Sequence, residues 1–395
     1  MGYFFYFFIL FSFLLLHITT SLAACIESAA GIVCSGTRDG IMYALDKKSG
    51  AVKWTYKTDG SLEYCEPVAV NGVICFGSED SYIYGIEALT GREVWRVKTD
   101  KKVSSGAATS NGLVYIGSRD SNIYAIEART GATKWVYRTD GSIEDFTPLI
   151  ADNGNIVLIG SKDQYFYAIN TAGGQELWRY KADDPVFQTR ADLGQGMVFF
   201  CCKNGYVYGL DVKTGREYWR YRTERGIDRS NPCYGNGFVY IASVDDRLYA
   251  INAQTGTEAW SFREDNAITS SPSFYRDKVY CASRNGNFYA FNCSTGAILW
   301  RQRLDGDVVD TAPVFYENRT LYETYVYIGT TDGGLYAFNT KTGGQVWRYR
   351  TDSSVEKTLP IFYEGTLYLG FLKNYFYALD AIRGNQIWRF RSFEN

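Results

Sequence analysis

The sequence predicts an all-β propeller of four-stranded antiparallel blades, nine repeat units counted. Three observations predict it. All nine tryptophans form one series: Trp54, Trp95, Trp135, Trp178, Trp219, Trp260, Trp300, Trp347 and Trp388. Each has a glycine four residues earlier, from Gly50 to Gly384, and a tyrosine eleven residues earlier, from Tyr43 to Tyr377. Every one of those tyrosines is followed by Ala or Gly. Self-similarity at a fixed period is the mark of repeat architectures.

The spacing between tryptophans is 40 to 43 residues, rising to 47 between Trp300 and Trp347, where Glu317 to Thr324 is inserted. Nine units of about 41 residues consume the 371 that follow Ala24, which leaves residues 25–395 as one propeller domain and nothing for a second. Within one unit, Ser104 to Thr109 leads into the Asn111-Gly112 turn, a pair that favours the two-residue hairpin. Leu113–Gly117, Ile123–Glu127 and Lys134–Arg138 then alternate as strands, separated by turn residues. Such a sheet has an apolar face on each side, and radial stacking buries both while leaving short edges. The tryptophan serves as the docking piece, its ring on the adjacent blade and its N–H satisfied at the interface. The glycine supplies the left-handed turn that aims the ring. In the first unit, a gapless alignment of Gly31 with Gly72 sets Cys25 to Ala30 opposite Glu66 to Asn71 as an innermost strand.

The composition closes off much chemistry. Of 395 residues, 46% are apolar, 17% aromatic and 21% charged, enough for a large core and unlike a disordered chain. A net charge of −2 carries no basic surplus for nucleic acid. The single histidine, His17, lies in the apolar leader, so the chain beyond it holds no Ser-His-Asp set and no imidazole metal ligand.

Residues 1–24 read as a signal peptide or N-terminal anchor: Tyr3 to Leu16 is apolar and aromatic, and small residues surround position 24. No Lys or Arg precedes Arg38, so the positive region is the amino terminus alone. Leu22-Ala23-Ala24-Cys25 resembles a lipobox that would make Cys25 a lipidated first residue. The protein is thus expected to be exported, to the periplasm and outer membrane or to a secretory lumen, touching membrane only through the leader or a Cys25 lipid. The nine cysteines include Cys34, Cys75 and Cys281 at one repeat position, as buried strand residues, and the adjacent Cys201-Cys202. The sequons at Asn292 and Asn318 are acceptors only in a eukaryotic secretory route. Asn292 shares its repeat position with Asp46 and Asp211, a turn position.

The stretches Tyr124 to Trp135 and Tyr249 to Trp260 resemble the tryptophan-docking repeat of the pyrroloquinoline quinone (PQQ)-type β-propellers, BamB-like in the non-enzymatic branch. The resemblance covers the chain after the leader. It implies a propeller, with eight blades as the family habit against the nine counted. The family's functions are diverse: quinoprotein dehydrogenases, an outer-membrane assembly lipoprotein and luminal sensor domains. Its quinone enzymes use inserted segments, a Ca²⁺ and a vicinal cysteine ring. Here Cys201 replaces the glycine seen at Gly77, Gly117 and Gly160, inside a strand. The expectation is therefore no PQQ, no Ca²⁺ and no catalytic residue. The early residues of the innermost strands, which run near the axis, supply Glu63, Glu144, Asp145, Asp228, Asp310 and Glu356 against Arg190, Arg229 and Lys357. Two readings stand, a channel that binds a metal or cationic ligand and a solvated rim of ion pairs. Arg and Tyr after the docking residues, as in Trp219-Arg220-Tyr221-Arg222, read equally as a partner surface and as arginine stems over rings. The function expected is a monomeric, exported protein-interaction scaffold. A PQQ/Ca-dependent dehydrogenase and a recognition domain for peptide or glycan are the alternatives.

Overall fold

The computed structural model describes residues 25–392 apart from 28, 64, 229, 356–359 and 373, and the side chains of 371 and 372. The leader, with its proposed signal or anchor, lies outside the described residues. Nine four-stranded antiparallel sheets follow one another in chain order. Blade 1 runs Cys25–Lys57, blade 2 Val68–Lys98, blade 3 Ala107–Arg138, blade 4 Leu149–Lys181 and blade 5 Asp192–Arg222. Blade 6 runs Cys233–Arg263, blade 7 Ser273–Arg303, blade 8 Val314–Arg350 and blade 9 Ile361–Arg391. The only helical element among the described residues is a 3₁₀ turn, Asp152–Gly154.

Each blade runs inner, second, third and outer strand. Second and third strands are buried along nearly their whole length, as in Val73–Ser78 and Ile83–Ile86, because both faces meet neighbouring blades. The outer strand buries its tryptophan between exposed residues, as in Thr133–Arg138. The small residue after the third-strand tyrosine is the cross-strand partner of the blade's own tryptophan, as Ala125 is of Trp135. At Gly85 an added Cβ would overlap the Trp95 indole. The register slips immediately after that pair, and a β-bulge there recurs in every blade.

The tryptophans dock as predicted, and the direction of docking is now defined. Trp54 Nε1–H donates to the Ala88 carbonyl of blade 2 at 2.9 Å, and Trp95 to Ala128 of blade 3 at 2.7 Å. The series continues to Trp347, which donates to Ala381 of blade 9 at 3.0 Å. Trp388 then donates to Lys47 of blade 1 at 3.1 Å, which closes the ring. The glycine four residues before each tryptophan has another task besides the left-handed turn. It receives the ring of the preceding blade: a Cβ on Gly91 would stand 2.6 Å from Trp54 Cγ, and one on Gly50 2.6 Å from Trp388 Cδ2. The motif is thus a socket for the neighbour's indole more than an aiming device for its own.

Blades 1 and 9 are each built of consecutive strands and share no sheet among the described residues. Among the described residues, side chains close this seam. Tyr368 Oη donates to the Lys47 carbonyl at 2.9 Å, and Tyr43 packs on Phe390 at 5.2 Å between centroids. Val33, Tyr43 and Leu45 share one buried cluster with Tyr368, Phe376 and Trp388.

Two local readings need correction. The first inner strand is Cys25–Glu27, with Cys25 opposite Cys34, the register position held in blade 2 by Val68 opposite Cys75. The gapless alignment is two residues out, because the last pair of the blade 1 hairpin is Glu27 with Ile32, with four residues between them in sequence, where blade 2 closes Val70 on Val73 across Asn71-Gly72 alone. The inner strand of blade 3 is likewise Ala107–Ser110, so Ser104 and Ser105 belong to the loop ahead of it. The insertion in blade 8 lengthens the inner hairpin: Glu317 pairs Thr324 and Asn318 pairs Glu323.

Candidate functional site

Inner strands of neighbouring blades touch around the axis, as those of blades 1 and 2 and of blades 5 and 6 do. The loop entering each inner strand of blades 2 to 9 carries a buried apolar residue: Leu62, Val103, Ile143, Val186, Ile227, Ile268, Val308 and Val355. Where the loop is long enough, its second following residue takes a left-handed conformation, as Asp145 (φ 47°), Gln188 (φ 54°) and Asp310 (φ 47°) do. That turn directs successive side chains to different partners.

Glu63, Glu144 and Asp145, three of the predicted channel residues, consequently take separate partners. Glu63 faces Arg38, with Oε1 2.6 Å from Nη2, on an exposed part of the rim. Glu144 takes Lys162 Nζ at 2.6 Å and lies 4.0 Å from Arg119. Its partial burial pushes its carboxyl up, and the hydrogen bonds of Lys162 and Ser142 with the Arg119 charge outweigh this and hold it below the ordinary range. Asp145 accepts from Gln188 Nε2 at 3.2 Å through Oδ2, while its buried Oδ1 has no hydrogen-bond partner. Desolvation pushes its carboxyl above the usual range. Glu144 and Asp145 do part company, as expected for neighbours, through the loop turn and not through strand alternation. Asp228 is exposed. Arg229, Glu356 and Lys357 lie outside the described residues. Among the described residues no three His, Cys, Asp or Glu side chains group so as to hold a metal ion.

The axis is instead crossed by a pair that the charge inventory split. Arg190, ahead of the inner strand of blade 5, forms an ion pair with Glu66, ahead of that of blade 2. Their side chains are only 19% and 11% exposed. Glu66 Oε2 also accepts from Thr147 Oγ1 of blade 4 at 2.6 Å. To get there it passes Gly106 of blade 3, where an added Cβ would collide with it. The same level continues around the ring: Arg190 N–H donates to Asn231 Oδ1 at 2.6 Å, Asn231 N–H to Ser271 Oγ at 3.1 Å, and Ser271 N–H to the Thr311 carbonyl at 2.9 Å. Glu66, Gly106, Thr147, Arg190, Asn231 and Ser271 stand two residues ahead of the equivalent inner-strand position in their blades. That repeat position was the available signal, since in blades 2 to 7 it carries one carboxylate and one guanidinium among Gly, Thr, Asn and Ser.

Cys201 and Cys202 are buried at the end of the second strand of blade 5, Cys201 pairing Val207 where Gly160 pairs Phe166 in blade 4. Burial pushes the Cys201 thiol up to about 12. Cys25 is buried in the inner strand of blade 1. Cys34 and Cys75 do share a register position, opposite Ala44 and Gly85, but Cys281 stands one residue beyond it: Tyr280 pairs Ala290 there and Cys281 pairs Tyr289. Asn292 Oδ1 accepts from the Ser294 and Thr295 N–H groups at 3.1 and 3.0 Å, and Asp46 and Asp211 hold the same turn. Asn318 is buried, and its Oδ1 caps the blade 8 hairpin through the Thr320 and Leu321 N–H groups at 3.0 and 3.1 Å.

On the outer strands, the tyrosine two residues after the tryptophan clasps the next blade. Tyr221 Oη donates to Glu258 at 2.5 Å, and Tyr56, Tyr137 and Tyr180 reach Glu93, Glu176 and Glu217 in the same way. The arginine beside it covers a third-strand ring: Arg179 lies 5.4 Å from the Tyr165 centroid and Arg348 5.1 Å from that of Tyr336. The reading of arginine stems over packed rings thus describes these residues, which leaves Leu177, Tyr218, Leu299, Val346 and Ile387 as exposed apolar side chains of the outer strands.

Fold and register define a tryptophan-docked β-propeller closed by nine blades. The profile of the family described as outer membrane protein assembly factor BamB matches residues 79–200, 162–280, 203–309 and 265–392, and the chain belongs to this family of PQQ-type repeat propellers. No curated relative matches at a significant level. BamB from Moraxella catarrhalis is similar in structure, at TM-score 0.59 and 19% identity over 85% of this chain and 98% of that one. The quinohemoprotein alcohol dehydrogenase ADHIIG from Pseudomonas putida HK5 shares the fold at TM-score 0.59 and 16% identity, over 80% of this chain and 72% of its own. A europium-containing methanol dehydrogenase does so at TM-score 0.59 and 14% identity, over 80% and 84%.

Proposed function

We propose that the protein is an exported, non-catalytic propeller that presents a rigid ring to a protein partner, as the description of its family implies for an outer-membrane assembly factor. The observation that carries this reading is the Glu66–Arg190 pair across the axis. The channel level that would face a bound group is taken up by the protein's own side chains, and Glu63, Glu144 and Asp145 each have a neighbour of their own. Support also comes from the outer strands, whose free edges carry Leu177, Tyr218, Leu299, Val346 and Ile387. An exposed strand edge with apolar side chains is suited to pairing with another chain. Its location would be the periplasmic face of the outer membrane.

The test is crosslinking of the full-length protein in envelope membranes, followed by mass spectrometry, beside dye-linked turnover of alcohols and aldoses with added PQQ and Ca²⁺. Specific protein crosslinks lost on charging the outer strands, for example L299K with I387K, are expected. Turnover without such crosslinks would install the dehydrogenase reading.

A further inference from the structure

Blade 1 differs from the other eight at one register position. Where the inner strand meets the second strand, its pair is Cys25 opposite Cys34. The equivalent pairs elsewhere include Val68 with Cys75, Leu149 with Leu158, Cys233 with Tyr240 and Ile361 with Tyr368. Directly opposed residues in an antiparallel pair place their Cα atoms about 4.5–5.5 Å apart with side chains on one face. A disulfide needs about 4.4–6.8 Å. Both thiols are buried, in a cluster with Cys65, and desolvation together with a hydrogen-bonding contact to the Cys25 thiol pushes the Cys34 thiol well up. The inner strand is only three residues long, in the blade that shares no sheet with blade 9 among the described residues.

We propose that Cys25 and Cys34 are a disulfide site that staples the inner strand of blade 1 onto its neighbour in an oxidising compartment. The oxidant is a disulfide of the compartment, either a small-molecule disulfide or that of an oxidoreductase. One cysteine thiolate attacks it, releasing one thiol and forming a mixed disulfide; the other cysteine attacks the protein sulfur and releases the second thiol. Two protein thiols become one S–S bond, and two thiols are produced from the oxidant. This inference does not depend on which partner the ring binds.

The experiment equilibrates the full chain in glutathione buffers of graded poise, blocks free thiols with iodoacetamide in denaturant, and digests with trypsin. No Lys or Arg lies between Cys25 and Arg38, so both cysteines fall in one peptide. In oxidising buffer that peptide is expected to take up no iodoacetamide and to weigh about 2 Da less than its reduced form. C34S is expected to leave Cys25 alkylated, and C25S to leave Cys34 alkylated. Full alkylation of both at every poise, a Cys25–Cys65 linkage, or Cys25 carrying lipid would each overturn the proposal.

Discussion

At Gly91 two constraints act on the same carbon. The backbone is left-handed, at φ 75°, and the Trp54 ring occupies the space a side chain would need. Replacing it with Ala is expected to cost about 1–3 kcal/mol for the conformation, with further loss from displacing the indole. Urea unfolding of G91A beside G72A checks this, because Gly72 is also left-handed but has open space around it. Equal losses would mean the socket contributes nothing. Asp145 makes a second residue-scale prediction. Its folded carboxyl is raised by burial, so it keeps a proton that the unfolded chain has already released, and stability falls as pH rises from the ordinary carboxyl range through the raised value. Glu144, held low by Lys162, Ser142 and Arg119, contributes stability that is present above the ordinary range and lost as pH falls through its depressed value. D145N is therefore expected to gain melting temperature relative to wild type at about pH 7 over about pH 4, and E144Q to lose it. Parallel pH profiles for the two variants would refute the assignment.

The blade is the scale at which the sequence was most legible. Three fixed offsets kept nine times identify the outer-strand tryptophan, its glycine and the third-strand tyrosine, and the structure adds their reasons. The small residue after the tyrosine lies under its own blade's indole, and the glycine under the previous one. What the offsets hid was the inner strand, which has only three residues in seven of the nine blades, such as Val68–Val70 and Cys233–Gly235. So few residues carry little periodicity, and the loop before them differs in length between blades. The channel residues sit in that loop, which explains why Glu66 was passed over while nearby charges were gathered into one set. The Glu66–Arg190 pair yields an element-scale test. E66Q leaves a buried guanidinium without its carboxylate and is expected to lose about 3–5 kcal/mol. A double variant, E66L with R190M, should recover much of that loss, and a double-mutant cycle measures the coupling. An additive cycle would mean that the two loops are held independently.

Across the whole molecule, stability rests on nine equivalent seams, of which the one between blades 9 and 1 is closed by Trp388, Tyr368 and their shared acceptor, the Lys47 carbonyl. W388A removes a large buried ring there and is expected to cost about 3–5 kcal/mol. The same change at an internal seam, W219A, carries a similar local cost. The two should part in mechanism: opening the terminal seam frees an end from which blades can peel, whereas an internal seam remains bracketed by intact neighbours. Hydrogen exchange that shows early loss of protection in blades 1 and 9 for W388A alone checks this. Identical exchange patterns would argue against end-peeling. Nine was readable from the letters because each seam requires one indole, and Trp388 finds its socket at Gly50, so no tryptophan is left outside the ring.

Because the described parts of blades 1 and 9 meet through side chains and not through a shared strand, the set of sheets does not depend on where among the wedges the chain is broken. A gene that begins at Val68 and rejoins the old ends with a short linker would encode the same set of sheets and the same nine indole contacts, with the opening simply moved one step around the circle.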